Sequence, residues 1–249
     1  FTLSEIQQYF DNLADVRINT HQIQLLEQRT EGWIAGLQLA GLTLKRVDNK
    51  DHFVHSFSGS HRYVMDYLTD EVLNQLSDTT LTFLLKTSIL QDLTTDLCNA
   101  ITETSDAQKQ LEMLEEMNLF IIPLDYERKW YRYHHLFSDL LQHRLRNNYS
   151  QTVIEALHRR ACEWYETHGF ISKALHHAHE VDDYTAIQLV IDHAPTKMEN
   201  GESSIVFGWI NTFSDDQILS HPYLSIKRAW QLLYMWQLEQ LEPYLACAD

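Results

Sequence analysis

The sequence has little glycine, proline, cysteine and positive charge. Only seven glycines and four prolines interrupt its 249 residues, which favours helices over a fold made of many turns. The three cysteines, Cys98, Cys162 and Cys247, lie far apart without a Cys-x-x-Cys pair. Neither a disulfide framework nor a zinc knuckle is therefore indicated, and we expect a reducing, cytoplasmic setting.

Positive charge is scarce. Nineteen lysines and arginines stand against 35 aspartates and glutamates, so the formal net charge is −16. This charge repels phosphate backbones and anionic lipids, so we expect no direct contact with nucleic acid or membrane. No apolar run approaches the roughly 18 residues of a membrane span, and we expect no signal peptide. Because the sequence starts without methionine, we expect it to be a piece of a longer protein.

A predicted β-hairpin followed by a helix lies between Asn118 and Arg146. Leu119 to Leu124 is an apolar strand, Asp125 to Lys129 a polar loop, and Trp130 to Tyr133 an aromatic return strand. After His134-His135, leucines recur at the spacing of an amphipathic helix. This arrangement of hairpin and helix is typical of the second half of a winged helix.

Three further helices are predicted before the hairpin. They cover Asp78 to Thr87, Thr94 to Ile101 and Ser105 to Met117, with Ser88 to Leu90 as a short extended piece. Ser105 and Gln108 have the spacing of a capping box at the start of the third of these helices.

The predicted fold is mainly α, in three parts. The sequence predicts a helical segment over residues 1–59, a winged helix over residues 60–147, and the start of a helical repeat domain over residues 148–249. Thr30 is expected to cap a glycine-rich helix from Glu31 to Lys45, against which a ligand or helix presses. The last part is predicted to contain antiparallel helix pairs of a tetratricopeptide-like superhelix; a non-repetitive helical domain is the alternative.

Three stretches resemble one family of regulators. TEGWIAGLQLAGLTL (Thr30 to Leu44), TSIL (Thr87 to Leu90) and WYRYHHLFSDLLQHRL (Trp130 to Leu145) are similar to the core of the MalT-type, LuxR-class transcriptional activators. These belong to the signal-transduction ATPases with numerous domains. The resemblance implies a P-loop domain, a winged helix, a repeat superhelix and a DNA-binding helix-turn-helix. It makes residues 1–59 the helical tail of a nucleotide-binding oligomerisation module. The sequence contains no G-x-x-x-x-G-K-S/T motif and no helix-turn-helix candidate, so it would be the middle of such a protein.

The resemblance also implies a nucleotide site. Gly32, Trp33 and Ile34 occupy the family's GxP-type motif, which contacts adenine, with Ile34 in place of the usual proline. His134 occupies the histidine of the Met-His-Asp-type motif, which touches the β-phosphate of ADP in the resting state; His135 replaces the aspartate. If so, His134→Ala is expected to raise basal activity and to leave the melting temperature of this chain almost unchanged.

The plainer alternatives remain open. His134 and His135 can be ordinary hydrogen-bonded residues at a helix start, and Trp33 can be a core residue. His176, His177 and His179 are interpreted as surface histidines rather than metal ligands. The third winged-helix segment could read DNA, but it carries Asp106, Glu112, Glu115 and Glu116 against Lys109 alone.

No catalytic residues and no metal ligands are predicted, so the chain itself is not expected to be an enzyme. As cofactor we expect ADP or ATP with magnesium in the full-length protein, and none in this segment alone. The expected partners are the P-loop domain of the same chain, an inducer or regulatory protein at the helical repeats, and further copies of the protein on activation. The alternative function is a helical-repeat scaffold that binds proteins without nucleotide.

Overall fold

The computed structural model describes residues 1–13, 16–45, 47, 49–59, 62–117 and 119–247. The chain divides into two compact units, Phe1–Leu157 and His158–Asp249. Most of the described residues lie in helices, which turns and loops connect, and the strands among them form one antiparallel pair. The prediction of a mainly α protein with a small hairpin is confirmed. Among the described helices, none has the length and apolar character needed to cross a membrane.

Five helices open the first unit: α1 (Leu3–Asp11), α2 (Thr20–Thr30), α3 (Ile34–Leu44), α4 (Lys50–Ser56) and α5 (Arg62–Glu71). Capping boxes start the first two, with Asn19 and Gln22 exchanging hydrogen bonds at α2. The predicted cap at Thr30 is wrong, because Thr30 is the last residue of α2 and its hydroxyl donates to the Leu26 carbonyl. Trp33 is the N-cap of α3 instead. The sequence predicts a polar connection from Asp48 to Gly59, which is wrong for Lys50–Ser56, since these residues form α4. Asp48 itself and Ser60, where the sequence predicts the next helix to start, lie outside the described residues.

The winged helix follows a short 3-10 helix at Leu73–Gln75. Its elements are α6 (Asp78–Thr87), α7 (Thr95–Thr102), α8 (Ala107–Glu116), β1 (Ile121–Pro123), β2 (Tyr131–Tyr133) and α9 (His135–Asn148). Ile121 pairs with Tyr133 and Pro123 with Tyr131 across the hairpin. The predicted loop is confirmed, since the Asp125 carboxylate accepts hydrogen bonds from the backbone N–H groups of Lys129 and Trp130 at its far end.

Two local predictions in the winged helix are wrong. The extended residue that joins the hairpin is Leu93, which exchanges backbone hydrogen bonds with Tyr131, whereas residues 88–90 form a turn after α6. The N-cap of α8 is Asp106 without a side-chain cap bond, so Ser105 and Gln108 form no capping box. The α8 start is held instead by the Asn99 side chain, which accepts a hydrogen bond from the N–H of Ala107.

Helix α10 (Gln151–Thr167) contains the division between the two units. The second unit continues with α11 (Ile171–His179), α12 (Asp183–Glu199), α13 (Ser203–Ile210), α14 (Asp215–Ser220), α15 (Pro222–Tyr234), a 3-10 helix (Leu238–Gln240) and α16 (Glu242–Ala246). Consecutive helices pack on one another, α11 on α12 and α14 on α15. Gly169, with φ +79°, makes the turn between α10 and α11. The helix predicted to stop at His193 continues through Pro195, and sequence reasoning missed α13 and α14.

His177 corrects the prediction of three surface histidines. Its ring is 2% exposed, lies almost parallel to that of Tyr165, and places Nδ1 3.0 Å from Nδ1 of His158. Burial, together with the nearby His158 and His176, lowers the pKa of His177 to about 3. His176 is exposed as predicted, and the half-buried His179 bonds to the Thr212 hydroxyl.

Candidate functional site

The two predicted nucleotide-binding positions lie side by side in the first unit. Gly32 is in the turn between α2 and α3, Trp33 caps α3, and Ile34 is its first residue. His134 is the N-cap of α9. The rings of Trp33 and His134 meet edge to face at 6.1 Å, although about a hundred residues separate them in sequence.

Both ring nitrogens of His134 are engaged. The backbone N–H of Leu136 donates to Nδ1 over 3.3 Å, so the ring proton belongs on Nε2. Nε2 lies 2.8 Å from the Thr30 carbonyl, to which it donates. Burial lowers the pKa of His134 and outweighs the Thr30 hydrogen bond and the Glu31 charge, which raise it, so the ring is neutral at pH 7.

This geometry changes the expectation for His134→Ala. His134 is 7% exposed, caps α9 and links α9 to the end of α2. Removal of the ring leaves the Leu136 N–H and the Thr30 carbonyl without these hydrogen bonds. Each buried polar group that loses its partner destabilises the fold by about 1 to 3 kcal/mol. From the sequence, the ring was predicted to face a bound nucleotide, so that its removal would hardly change the melting temperature of this chain. We now expect this variant to melt at a lower temperature.

Aromatic rings surround the two positions. Trp33 packs edge to face on Phe120 at 5.1 Å and against Tyr67 of α5 at 5.7 Å. Phe120 in turn stacks on Phe137 of α9 at 5.3 Å. The half-buried Trp33 therefore holds α3, α5, the β-hairpin entrance and α9 in one cluster.

The small residues of α3 allow this close packing. A Cβ added at Gly36 would lie 2.7 Å from the Trp33 ring and 3.3 Å from a Leu136 methyl carbon. One added at Gly41 would contact side chains of α1 and of the turn after it. The expectation that another element presses on this helix is therefore confirmed, and the pressing groups are side chains of the same unit.

An ionic cluster beside His134 was missed from sequence. Arg132 donates to both carboxylate oxygens of Glu31, with distances of 2.9 and 2.7 Å. The same carboxylate accepts from the backbone N–H of His135 at 3.2 Å and lies 2.9 Å from Nδ1 of the His135 ring. Partial burial opposes ionisation of Glu31, but the hydrogen bonds from Arg132 and His135 outweigh it and lower the pKa of the carboxyl.

The alternation of strand β2 places these groups. Tyr131 and Tyr133 are buried and Arg132 points to the other face, toward Glu31. The Tyr133 hydroxyl lies 2.7 Å from that of Thr87 in α6, and burial raises the pKa of Tyr133. The strand that precedes His134 is thus anchored on one face to α6 and on the other to the α2–α3 turn.

The exposed face of α8 is acidic. Glu115 pairs with Arg128 of the hairpin loop at 3.3 Å and accepts a hydrogen bond from the Tyr131 hydroxyl. Glu112 and Glu116 line the same surface, where a DNA-reading helix would present cations. Within the described residues, no group of three or more histidine, cysteine, aspartate or glutamate side chains is arranged to hold a metal ion.

The winged helix matches a family model in comparison with known proteins. Residues 69–153 match the model of the MalT winged helix domain. The HTH-type transcriptional regulator MalT of Vibrio campbellii is 31% identical over 252 residues, which cover 100% of this chain and 28% of the relative. The regulators of the same description from Klebsiella pneumoniae and Cronobacter sakazakii are each 29% identical, with the same coverage. The chain thus spans 28% of the length of these relatives.

Proposed function

We propose that the chain, whose residues 69–153 match the model of the MalT winged helix domain and which is similar to MalT regulators along its full length, is the regulatory core of a transcriptional activator. In this proposal the core couples the ADP or ATP state of a P-loop domain in the same protein, and the binding of an inducer, to activation. The chain itself carries out no catalytic step.

One observation carries this proposal: the Gly32–Ile34 turn and His134 lie against each other in one compact unit. The affinity of a ligand that contacts both positions depends on how the winged helix packs on the α2–α3 turn. A nucleotide supplies a flat base for the half-buried Trp33 region and phosphate oxygens for N–H donors. His134 and the first N–H groups of α9 are donors of the kind that phosphate oxygens require.

His134 alone cannot hold a resting state. A hydrogen bond from it to a charged phosphate contributes about 1.5 to 3 kcal/mol. Moving a two-state equilibrium from 1:99 to 99:1 requires about 5.5 kcal/mol of differential binding. We assign the remainder to the packing of Trp33 on Phe120 and on Tyr67.

We further propose that the partners follow from this arrangement. The first is the P-loop domain of the same protein, with magnesium accompanying its nucleotide. The second unit is proposed to receive the inducer or a regulatory protein, and the active form is proposed to self-associate. Large exposed side chains on α15 and just after it, among them Trp230, Tyr234 and Trp236, offer an apolar surface for such contacts.

The experiment is a reporter assay with the full-length regulator in cells without inducer. His134→Asn keeps a side-chain oxygen that can cap α9 but removes the ring donor. We expect basal transcription to rise several-fold, because a bond made in the resting state is lost. The matched control is His176→Asn, which changes an exposed histidine in the second unit.

The same assay separates the second candidate function, a protein-binding scaffold without nucleotide coupling, which the exposed aromatic residues favour. A scaffold predicts wild-type basal transcription for His134→Asn at equal protein abundance. It also predicts a loss of inducer response when Trp230 and Trp236 are replaced by serine.

A further inference from the structure

The Glu31 carboxylate is surrounded by donors that belong to the winged helix. Two guanidinium N–H groups of Arg132, the ring of His135 and the backbone N–H of His135 all reach it within 3.2 Å. Glu31 comes from the α2–α3 turn and has left-handed backbone, with φ +48°. The α2–α3 turn therefore places an anion, the Glu31 carboxylate, among hydrogen-bond donors that belong to β2 and the start of α9.

We propose that Arg132 and His135 form a phosphate-binding site, which the Glu31 carboxylate fills in this conformation. The proposal rests on the proposed function in one respect, since a nucleotide phosphate would be the natural occupant. It adds Arg132 and His135 as phosphate donors and Glu31 as an internal competitor, and the family resemblance assigned none of these three roles.

The chemistry of the donors supports a phosphate group. A guanidinium presents two parallel N–H groups that match the oxygens of carboxylate and phosphate equally well. His135 contributes a second nitrogen and a backbone N–H at the start of α9, a helix of 14 residues. A dianionic phosphate has more charge than the carboxylate that it would replace, so the same donors bind it more strongly.

The site is open to exchange on one side. The side chains of Glu31, Arg132 and His135 are 18%, 28% and 62% exposed. Asp92 is the second carboxylate whose charge acts on Arg132, and the Tyr133 carbonyl accepts one of the Arg132 hydrogen bonds at 3.3 Å. An incoming anion therefore displaces the Glu31 carboxylate, while the Tyr133 carbonyl still accepts a hydrogen bond from the guanidinium.

Displacement of Glu31 has a structural consequence. The Glu31 carboxylate links the α2–α3 turn to β2 and α9. Glu31 lies between Gly32 and Thr30, whose carbonyl His134 contacts. Phosphate binding and the Glu31 tie are then mutually exclusive, so an anion at Arg132 leaves the turn held by the Thr30–His134 bond and by the packing of Trp33.

The test uses this 249-residue chain and inorganic pyrophosphate as the probe. Glu31→Gln removes the competing charge and is expected to melt below the wild type, because Arg132 loses its ionic partner. Pyrophosphate is expected to restore its melting temperature and to bind it at least about tenfold more tightly than the wild type in calorimetric titration. Adding Arg132→Met to this variant should abolish the gain.

Glu115→Gln is the matched control. It removes the carboxylate partner of another arginine, Arg128, in the same winged helix but away from the start of a helix. It should gain no pyrophosphate affinity. If Glu31→Gln does not fold, Glu31→Asn replaces it, because asparagine tolerates the left-handed backbone at this position.

The outcomes distinguish this proposal from the proposed function. Equal pyrophosphate affinity of the wild type and the folded Glu31 variant, or a gain that survives Arg132→Met, overturns the anion site whatever the reporter assay gives. A gain that depends on Arg132, together with unchanged transcription in His134→Asn, upholds the anion site and rejects the nucleotide switch.

Discussion

Replacement of Gly59 by alanine is expected to destabilise the first unit by about 3 kcal/mol or more. The added Cβ would lie 1.7 Å from the carbonyl oxygen of Leu136 and 2.6 Å from its carbonyl carbon. Both atoms belong to the backbone of α9, so no side-chain rotation relieves the clash. The N–H of Gly59 also donates to the Asp139 carboxylate at 3.1 Å, which fixes the residue against the helix. Urea unfolding followed by circular dichroism measures the loss.

Gly208 provides the control for this substitution. It lies exposed within α13, and a Cβ there would have no heavy atom within 4 Å. Gly208→Ala is expected to stabilise its unit by about 0.5 to 1 kcal/mol, because alanine is the better helix former. A Gly59→Ala chain that unfolds at the wild-type urea concentration would contradict the packing of residue 59 on α9.

Acid is expected to destabilise the second unit through His177. Its folded pKa, about 3, lies below the value near 6.5 of an exposed histidine. The unfolded chain therefore binds a proton that the folded chain does not, and stability falls as the pH drops from 6.5 toward 3. Above pH 6.5 the contribution is complete; at pH 5 the loss reaches about 2 kcal/mol.

The variant His177→Phe keeps a ring against Tyr165 and removes the titrating group. Its free energy of unfolding should vary less with pH between 6.5 and 4.5 than that of the wild type. His168→Gln removes an exposed histidine just after α10 and controls for the loss of a histidine as such. An identical slope in the wild type and His177→Phe would show that His177 already binds its proton in the folded chain.

The elements that sequence predicted best are those set by short-range patterns. Helix α6 begins and ends at the predicted residues, Asp78 and Thr87, because Ser77 caps it and leucines fill one face. The hairpin loop follows from Asp125, whose carboxylate bonds to the backbone across the loop. The start of α9 at His134-His135 was evident from the change of apolar period from two to nearly four.

The contacts that sequence could not predict depend on residues far apart in the chain. Glu31 and Arg132 are separated by 101 residues, and nothing local to either indicates the other. Thr30 has a residue type suited to starting a helix, but Glu31 and Gly32 adopt positive φ and end α2 there. His177 was assigned to the surface because its neighbours are polar, while the packing of α11 against α10 buries it beside His158.

The predicted nucleotide positions stand between these two cases. The resemblance named His134, Gly32, Trp33 and Ile34 from separate motifs, and the fold places the motifs in contact. The geometry adds that the His134 ring donor is already bonded to Thr30. A phosphate that uses this donor must first replace the Thr30 carbonyl.

The rate of ADP release from the full-length regulator tests the account most directly. Fluorescently labelled ADP would be chased with unlabelled ADP by stopped flow from the wild type, His134→Asn and the control His176→Asn. We expect ADP to leave His134→Asn about tenfold faster than it leaves the other two proteins, because the variant lacks one charge-assisted hydrogen bond to the phosphate. Equal release rates from all three proteins, with the His134 variant folded at the assay temperature, would contradict this prediction and leave His134 as a helix cap.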